Sequence, residues 1–176
     1  MPHQEDNAKK TKKLASQLFP NEQWICIHKN IFMAASRAPR SFRESEILAK
    51  EISQARILAA LRHTIYLLPE FGSSNKKHPD AIVDGLIMEF KTVFGNERKI
   101  KERYKEAREK ADNVFLQIDS PFTQKTITSK LSGTIKGKGY KSGLIWVYFS
   151  QTGKMVYYTV EKIKNRVVKP GGSSGL

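Results

Sequence analysis

Asp80, Glu89 and Lys91 are the residues of this sequence whose types and spacing suit them to chemistry. Asp84-Gly85 is the preferred dipeptide of a two-residue type I′ hairpin loop, and apolar runs flank it on both sides. A turn there pairs Val83 with Leu86, Ile82 with Ile87, Ala81 with Met88, and Asp80 with Glu89. The strand period of two then sets Asp80, Ile82, Ile87, Glu89 and Lys91 on one face. Like charges directly opposite each other are unfavourable unless a cation lies with them. Two carboxylates beside an ammonium suit a hard divalent ion, Mg²⁺ or Mn²⁺. Such a set can orient a water and stabilise the charge that builds on a phosphate under attack. Phe90 should turn its side chain to the opposite face and pack in the core, leaving its main-chain carbonyl as a further ligand.

Several elements must position these groups. Ser41-Phe42-Arg43-Glu44 reads as a capping box opening a helix to about Leu61. Ile47, Leu48, Ile52, Ala55, Leu58 and Ala59 form its apolar stripe at helical spacing. Glu51 lies inside that stripe, where a carboxylate is costly unless it has a partner or a function, whereas Glu46 projects to solvent. Thr64 to Leu68 reads as a buried strand, and a loop from Pro69 to His78 leads to the hairpin. A helix from a cap at Asn96 to about Ala111 turns Ile100, Tyr104, Ala107 and Ala111 inward, and a strand covers Val114 to Ile118. A helix from about Phe122 to Ile135 precedes two closing strands, Leu144–Phe149 and Met155–Val160. Trp24 to His28 reads as a short strand, which Ile31 to Ala35 either continues or follows as a separate turn. The expectation is an α/β fold with a mixed central sheet, an α-β-β-β-α-β core and a C-terminal strand extension.

The chain has 176 residues, 39% of them hydrophobic, which suffices for one domain with a core of its own. That domain is expected over 14–168, after a flexible basic lead-in at 1–13 and before a flexible tail at 169–176. Cys26 is the single cysteine, which suits a reducing compartment. Neither a signal peptide nor a membrane-length apolar run is visible, so the expected location is cytoplasmic, without a membrane partner.

Lysine and arginine number 31 against 17 acidic residues, a net charge of +14, and this excess points to a polyanion such as nucleic acid. In the glycine-rich segment 136–141, Lys136, Lys138 and Lys141 could follow a phosphate backbone while Tyr140 stacks on a base; a solvated loop explains them equally. The basic residues between Arg98 and Lys110 alternate with Glu97, Glu102, Glu106 and Glu109 and read mostly as a salt-bridged outer face. His28, His63 and His78 share no metal-ligand spacing, which favours structural or surface roles.

The pattern Pro79-Asp80, eight residues, Glu89-x-Lys91 resembles the PD-(D/E)xK nuclease superfamily, and the element order is that superfamily's α-β-β-β-α-β core. The resemblance implies that Asp80 and Glu89 hold one Mg²⁺ or Mn²⁺, with the Phe90 carbonyl and Glu51 completing its shell. It gives Lys91 the task of orienting the attacking group or neutralising charge on the phosphate. Between about Ser45 and Val160 the chain is also similar to the C-terminal tRNase domains of contact-dependent growth-inhibition toxins and related mobile-element domains. That similarity implies a hydroxyl from Thr126 near the phosphate, which helix capping explains as well. Gln117 resembles a polar residue that superfamily members direct at the site; an exposed strand position explains it equally. The toxin-domain similarity also implies an RNA substrate such as a tRNA, a neutralising partner protein and delivery to another cell. A DNA endonuclease of restriction or repair type, and a non-catalytic nucleic-acid-binding protein, are the alternatives.

Overall fold

A helix opens the chain where composition predicts a flexible lead-in. In the computed structural model, which describes residues 2–70 and 78–165, α1 spans Pro2–Leu18. Its inward side is built from small residues: Thr11 and Ala15 are fully buried, and Ala15 joins Tyr66, Leu68 and Ile82 in one apolar cluster. Two small residues and Leu14 are too weak an apolar signal to stand out among the lysines around them.

Strands β1 (Trp24–His28) and β2 (Ile31–Ala34) form an antiparallel hairpin, with Asn30 taking the left-handed conformation (φ 64°) in its turn. Ile31 to Ala34 is therefore a separate strand. A short 3-10 turn, Ala35–Arg37, leads towards α2 (Phe42–Ala60). Ser41 caps α2 by accepting the Glu44 amide at 3.2 Å, as expected, whereas the Glu44 carboxylate reaches the Arg40 amide, at 2.6 Å, one residue before the cap. The α2 crossover returns the chain as β3 (Ile65–Leu67), which lies parallel to β2.

Strands β4 (Ala81–Val83) and β5 (Leu86–Val93) follow, with Val83 opposite Leu86, Ile82 opposite Ile87 and Ala81 opposite Met88, the register that the Asp-Gly turn predicts. Asp84 (φ 49°) and Gly85 (φ 80°) both take positive φ, as a type I′ turn requires. The turn is also anchored from outside: Asp84 Oδ1 accepts the Thr64 amide at 2.9 Å, and Asp84 Oδ2 lies 2.6 Å from His63 Nδ1.

The described residues after β5 comprise α3 (Arg98–Arg108), β6 (Asn113–Ile118), α4 (Gln124–Lys138), β7 (Leu144–Phe149), β8 (Lys154–Thr159) and α5 (Val160–Lys164). The expected core positions Ile100, Tyr104, Ala107, Ile127, Leu131 and Ile135 are all buried. Strands β7 and β8 pair antiparallel along their whole length. Helix α5 replaces the expected end of the last strand, because Thr159 caps it by accepting the Lys162 amide and Val160 and Ile163 bury themselves. The eight strands make one mixed sheet in sequential order, giving an α/β fold with the expected α-β-β-β-α-β succession from α2 to β6.

Composition predicts one domain; the chain divides into two compact units, Met1–Phe90 with Ala107–Phe115, and Lys91–Glu106 with Leu116–Leu176. Residues 71–77 of the expected Pro69–His78 loop, and the expected tail 169–176, lie outside the described residues. Among the described residues, no helix is long and apolar enough to cross a membrane.

Candidate active site

The first unit brings Asp80, Glu89 and Glu51 to one place. Lys110 marks it: its Nζ lies 2.7 Å from Glu89 Oε1 and 3.9 Å from Asp80 Oδ1, so both hairpin carboxylates face one ammonium. Glu89 is fully buried and Asp80 nearly so. The other Asp80 oxygen, Oδ2, accepts the Phe90 amide at 2.8 Å, which fixes the carboxylate across the two strands. The Phe90 ring points the opposite way, edge-on to Phe115 with centroids 5.5 Å apart, as strand alternation requires.

Glu51 reaches the same place from α2. Leu48, Glu51, Ala55 and Leu58 form the buried face of that helix, while Glu46 is exposed. Arg37 meets Glu51 with its Nη2, and its Nη1 donates to the Leu68 carbonyl and, at 3.3 Å, to the Asp80 carbonyl. Burial raises the Glu51 carboxyl from 4.5 to about 7; Arg37 pulls it down, Asp80 and Glu89 push it up, and Lys110 pulls it down. These influences place all five groups in one electrostatic cluster. With three carboxylates and two cations the cluster is formally −1 when Glu51 is ionised and neutral when it holds a proton. Lys110 is itself held charged. Burial opposes its charge, but the hydrogen bond to Glu89 and the fields of Asp80, Glu89 and Glu51 raise its pKa overall.

Arg37 and Lys110 are the two members that the sequence reading misses. Lys110 reads as one more cation on the outer face of a helix running to Ala111. The helix ends at Arg108, and the turn at 109–110 carries Lys110 inward instead. The true outer face carries the expected pairs, among them Arg98–Glu102 at 3.0 Å and Arg103–Glu106 at 2.8 Å. Arg37 sits in a stretch without periodicity, and only its burial reveals it.

Lys91 follows Phe90 on β5, two residues beyond Glu89, and opens the second unit. Thr126 lies in the first turn of α4; its amide donates to the capping Thr123 hydroxyl at 3.1 Å and the two hydroxyls are 3.0 Å apart, a capping arrangement. Gln117 donates to Asp119 at 3.0 Å. Segment 136–141 is largely helical: Lys136 and Lys138 occupy the last turn of α4, Gly139 (φ 68°) ends it, and Tyr140 packs edge-on against Tyr104, 5.8 Å between centroids. Tyr140 is half-buried there. A basic groove of about 190 Å³ does exist nearby in the second unit, lined by Lys101 and Lys105 of α3 and by Gly133, Gly137 and Lys138 of α4. A Cβ at either of these glycines would meet nothing within 4 Å. His63 serves the turn, and His78 packs edge-on against Phe19 at 5.0 Å.

Among the described residues, no three His, Cys, Asp or Glu side chains form a closed metal-binding set. The Asp80–Glu89 pair nonetheless offers hard oxygen donors around a point already occupied by a cationic group. This donor set fits an ion such as Mg²⁺, which takes one or two carboxylates and completes its shell with water and substrate oxygen.

Residues 76–148 match the family model described as the contact-dependent growth inhibition CdiA C-terminal domain. The match covers less than half of the chain, but includes Asp80, Glu89, Lys91 and Lys110. A solved structure from Burkholderia pseudomallei, described as a CdiA-CT/CdiI toxin and immunity complex, contains a similar chain. The similarity has a TM-score of 0.47 and 20% identity, and covers 69% of this chain and 92% of that one. No curated protein matches the sequence.

Proposed function

We propose that the protein is a toxin-like endonuclease of the PD-(D/E)xK type that cleaves phosphodiester bonds in RNA, with tRNA the leading substrate. The observation that carries this reading is the convergence of Asp80 and Glu89 on one ammonium, with Glu51 in the same electrostatic cluster. Buried like charges are costly, and a fold that gathers three of them needs a function or strong compensation. The family-model match adds support, since it spans the hairpin and Lys110 and its description names a toxin system's C-terminal domain.

In this mechanism Asp80 and Glu89 would hold Mg²⁺ or Mn²⁺, with Glu51 and the Phe90 carbonyl as further oxygen donors; the bound ion would supply Lewis-acid stabilisation of the phosphate. Lys91 neutralises charge on the phosphate oxygens as the attacking oxygen closes on phosphorus and the leaving ribose oxygen departs. Glu51 would complete the ion's shell directly or through a bound water. Lys110 balances the Asp80 and Glu89 charges while no ion is bound there. In the second unit, the groove between Lys101, Lys105 and Lys138 follows the RNA backbone, and the net charge of +14 draws the polymer in. A domain of this kind acts on a recipient cell after delivery, and its producer keeps a neutralising protein, for which +14 favours an acidic surface.

Incubating the purified protein with total tRNA, ribosomal RNA and duplex DNA, each with Mg²⁺, Mn²⁺ or a chelator, tests this. Discrete RNA fragments that vanish with the chelator are expected. Cleavage of DNA alone would transfer the site to the restriction or repair type, and binding without cleavage of either polymer would leave a plain binding protein.

A further inference from the structure

A cleft of about 360 Å³ adjoins the carboxylate cluster, between the segment after β2, the first half of α2 and Pro69-Glu70. Arg37 and Glu51 line it as well as belonging to the cluster, so whatever enters lies next to the proposed scissile phosphate. Its volume is within the range of roughly 300–1,000 Å³ usual for small-molecule sites.

The lining decides what class of group fits. Arg37 is engaged by Glu51 and by the Leu68 and Asp80 carbonyls. Arg40 lines the cleft together with two further carboxylates, Glu44 and Glu70; two arginines against three acidic residues leave no net positive charge for a phosphate. Its apolar wall comprises Ile47, Leu48, Ala38 and Pro69. Ile47 belongs to the apolar stripe of α2 by spacing, yet it is 39% exposed where it borders the cleft. An uncharged planar group bearing N–H donors satisfies both features: its faces cover the apolar wall and its donors meet the carboxylates. Nucleobases with exocyclic amino groups are such groups, and carboxylates accept hydrogen bonds from base amino groups.

We propose that this cleft takes the unstacked, amino-bearing base of a nucleotide adjoining the scissile phosphate, with the base against Ile47 and Pro69 and its donors on Glu44 and Glu70. The cleft thereby selects where the chain is cut and confines cleavage to unpaired nucleotides. This inference deepens the nuclease reading and rests on it only for the word "scissile".

Two measurements on the full-length protein test it. Saturation-transfer NMR with free cytidine, guanosine, adenosine and uridine should show contact for the three amino-bearing nucleosides. Ile47→Trp, which fills the cleft from a partly exposed helix position, should abolish that signal, and Lys154→Ala, at an exposed position of β8, should leave it unchanged. In the second measurement, each nucleotide flanking the mapped cut in a short RNA is replaced in turn by an abasic ribose. One such replacement should lower wild-type kcat/KM at least tenfold and Ile47→Trp kcat/KM less than twofold. Glu70→Gln, on the loop, provides a second variant and should weaken amino-bearing nucleosides several-fold. Equal nucleoside binding by wild type and Ile47→Trp, or indifference of cleavage to every abasic replacement, would overturn the proposal. If nucleosides bind as expected but no RNA is cut, the nuclease reading fails while the base cleft stands.

Discussion

Glu51→Gln keeps the shape of the side chain and removes one titrating group from the cluster. Burial holds the folded-state pKa at about 7 against 4.5 in the unfolded chain, despite the opposing pull of Arg37. Between those two values the folded state binds more protons than the unfolded state, so this group's contribution to stability falls as pH rises through the window and is constant above it. At about 1.4 kcal/mol per pKa unit the loss amounts to about 3 kcal/mol, an upper figure for a group so strongly coupled to its neighbours. At pH 4 both proteins carry a neutral group beside Arg37 and should have similar stability. At pH 8 the Gln variant should be the more stable by up to that amount, equivalent to roughly 6–12 °C in Tm for a chain of this size. Urea unfolding from pH 4 to 8 in a Trp146→Phe background, where Trp24 alone reports on the first unit, measures the difference. Parallel pH profiles, or a wild type that gains on the variant as pH rises, would show that attraction to Arg37 outweighs burial and would refute the reasoning.

Lys110→Met removes the ammonium held against fully buried Glu89 and should cost about 3 kcal/mol in urea unfolding at pH 7, as breaking a buried ion pair does. Asp84→Ala loses the acceptor for the Thr64 amide and the His63 partner and should cost about 2 kcal/mol in urea unfolding, while Asp84→Asn should cost less than half of that. Replacing Lys101, Lys105 and Lys138 together by Gln should weaken RNA binding and reduce the slope of log affinity against log salt by about 2 to 3, as read by filter binding across a salt series.

The hairpin was legible because an Asp-Gly turn and period-two apolar runs leave one register that buries the right face; three of the four predicted pairs occur in the ladder, and beyond it Asp80 accepts the Phe90 amide. Glu51 was legible for the opposite reason, as a charge standing where the helical period wants an apolar residue. Arg37 and Lys110 escaped because neither breaks a pattern. One lies in an irregular turn. The other becomes part of the cluster only because α3 stops at Arg108, and the last turns of a helix are the part that periodicity locates least well. Helix α1 escaped because its buried side consists of small residues, and α5 because a single Thr cap redirects what reads as a strand end. Segment 136–141 misled because two glycines in a lysine-rich run suggest a loop, whereas Gly137 lies within α4 and only Gly139 takes a left-handed conformation.

Single-turnover cleavage of end-labelled tRNA with Mg²⁺, by wild type, Asp80→Ala and Lys91→Ala at saturating protein, tests the central claim most directly. Each substitution should slow cleavage by roughly 10²–10³-fold or more. Binding should change less than about twofold, because Lys91→Ala leaves 30 of the 31 basic side chains and many phosphate contacts share the affinity. Cleavage by either variant at the wild-type rate, or a wild-type protein that binds tRNA and never cuts it, would contradict the account.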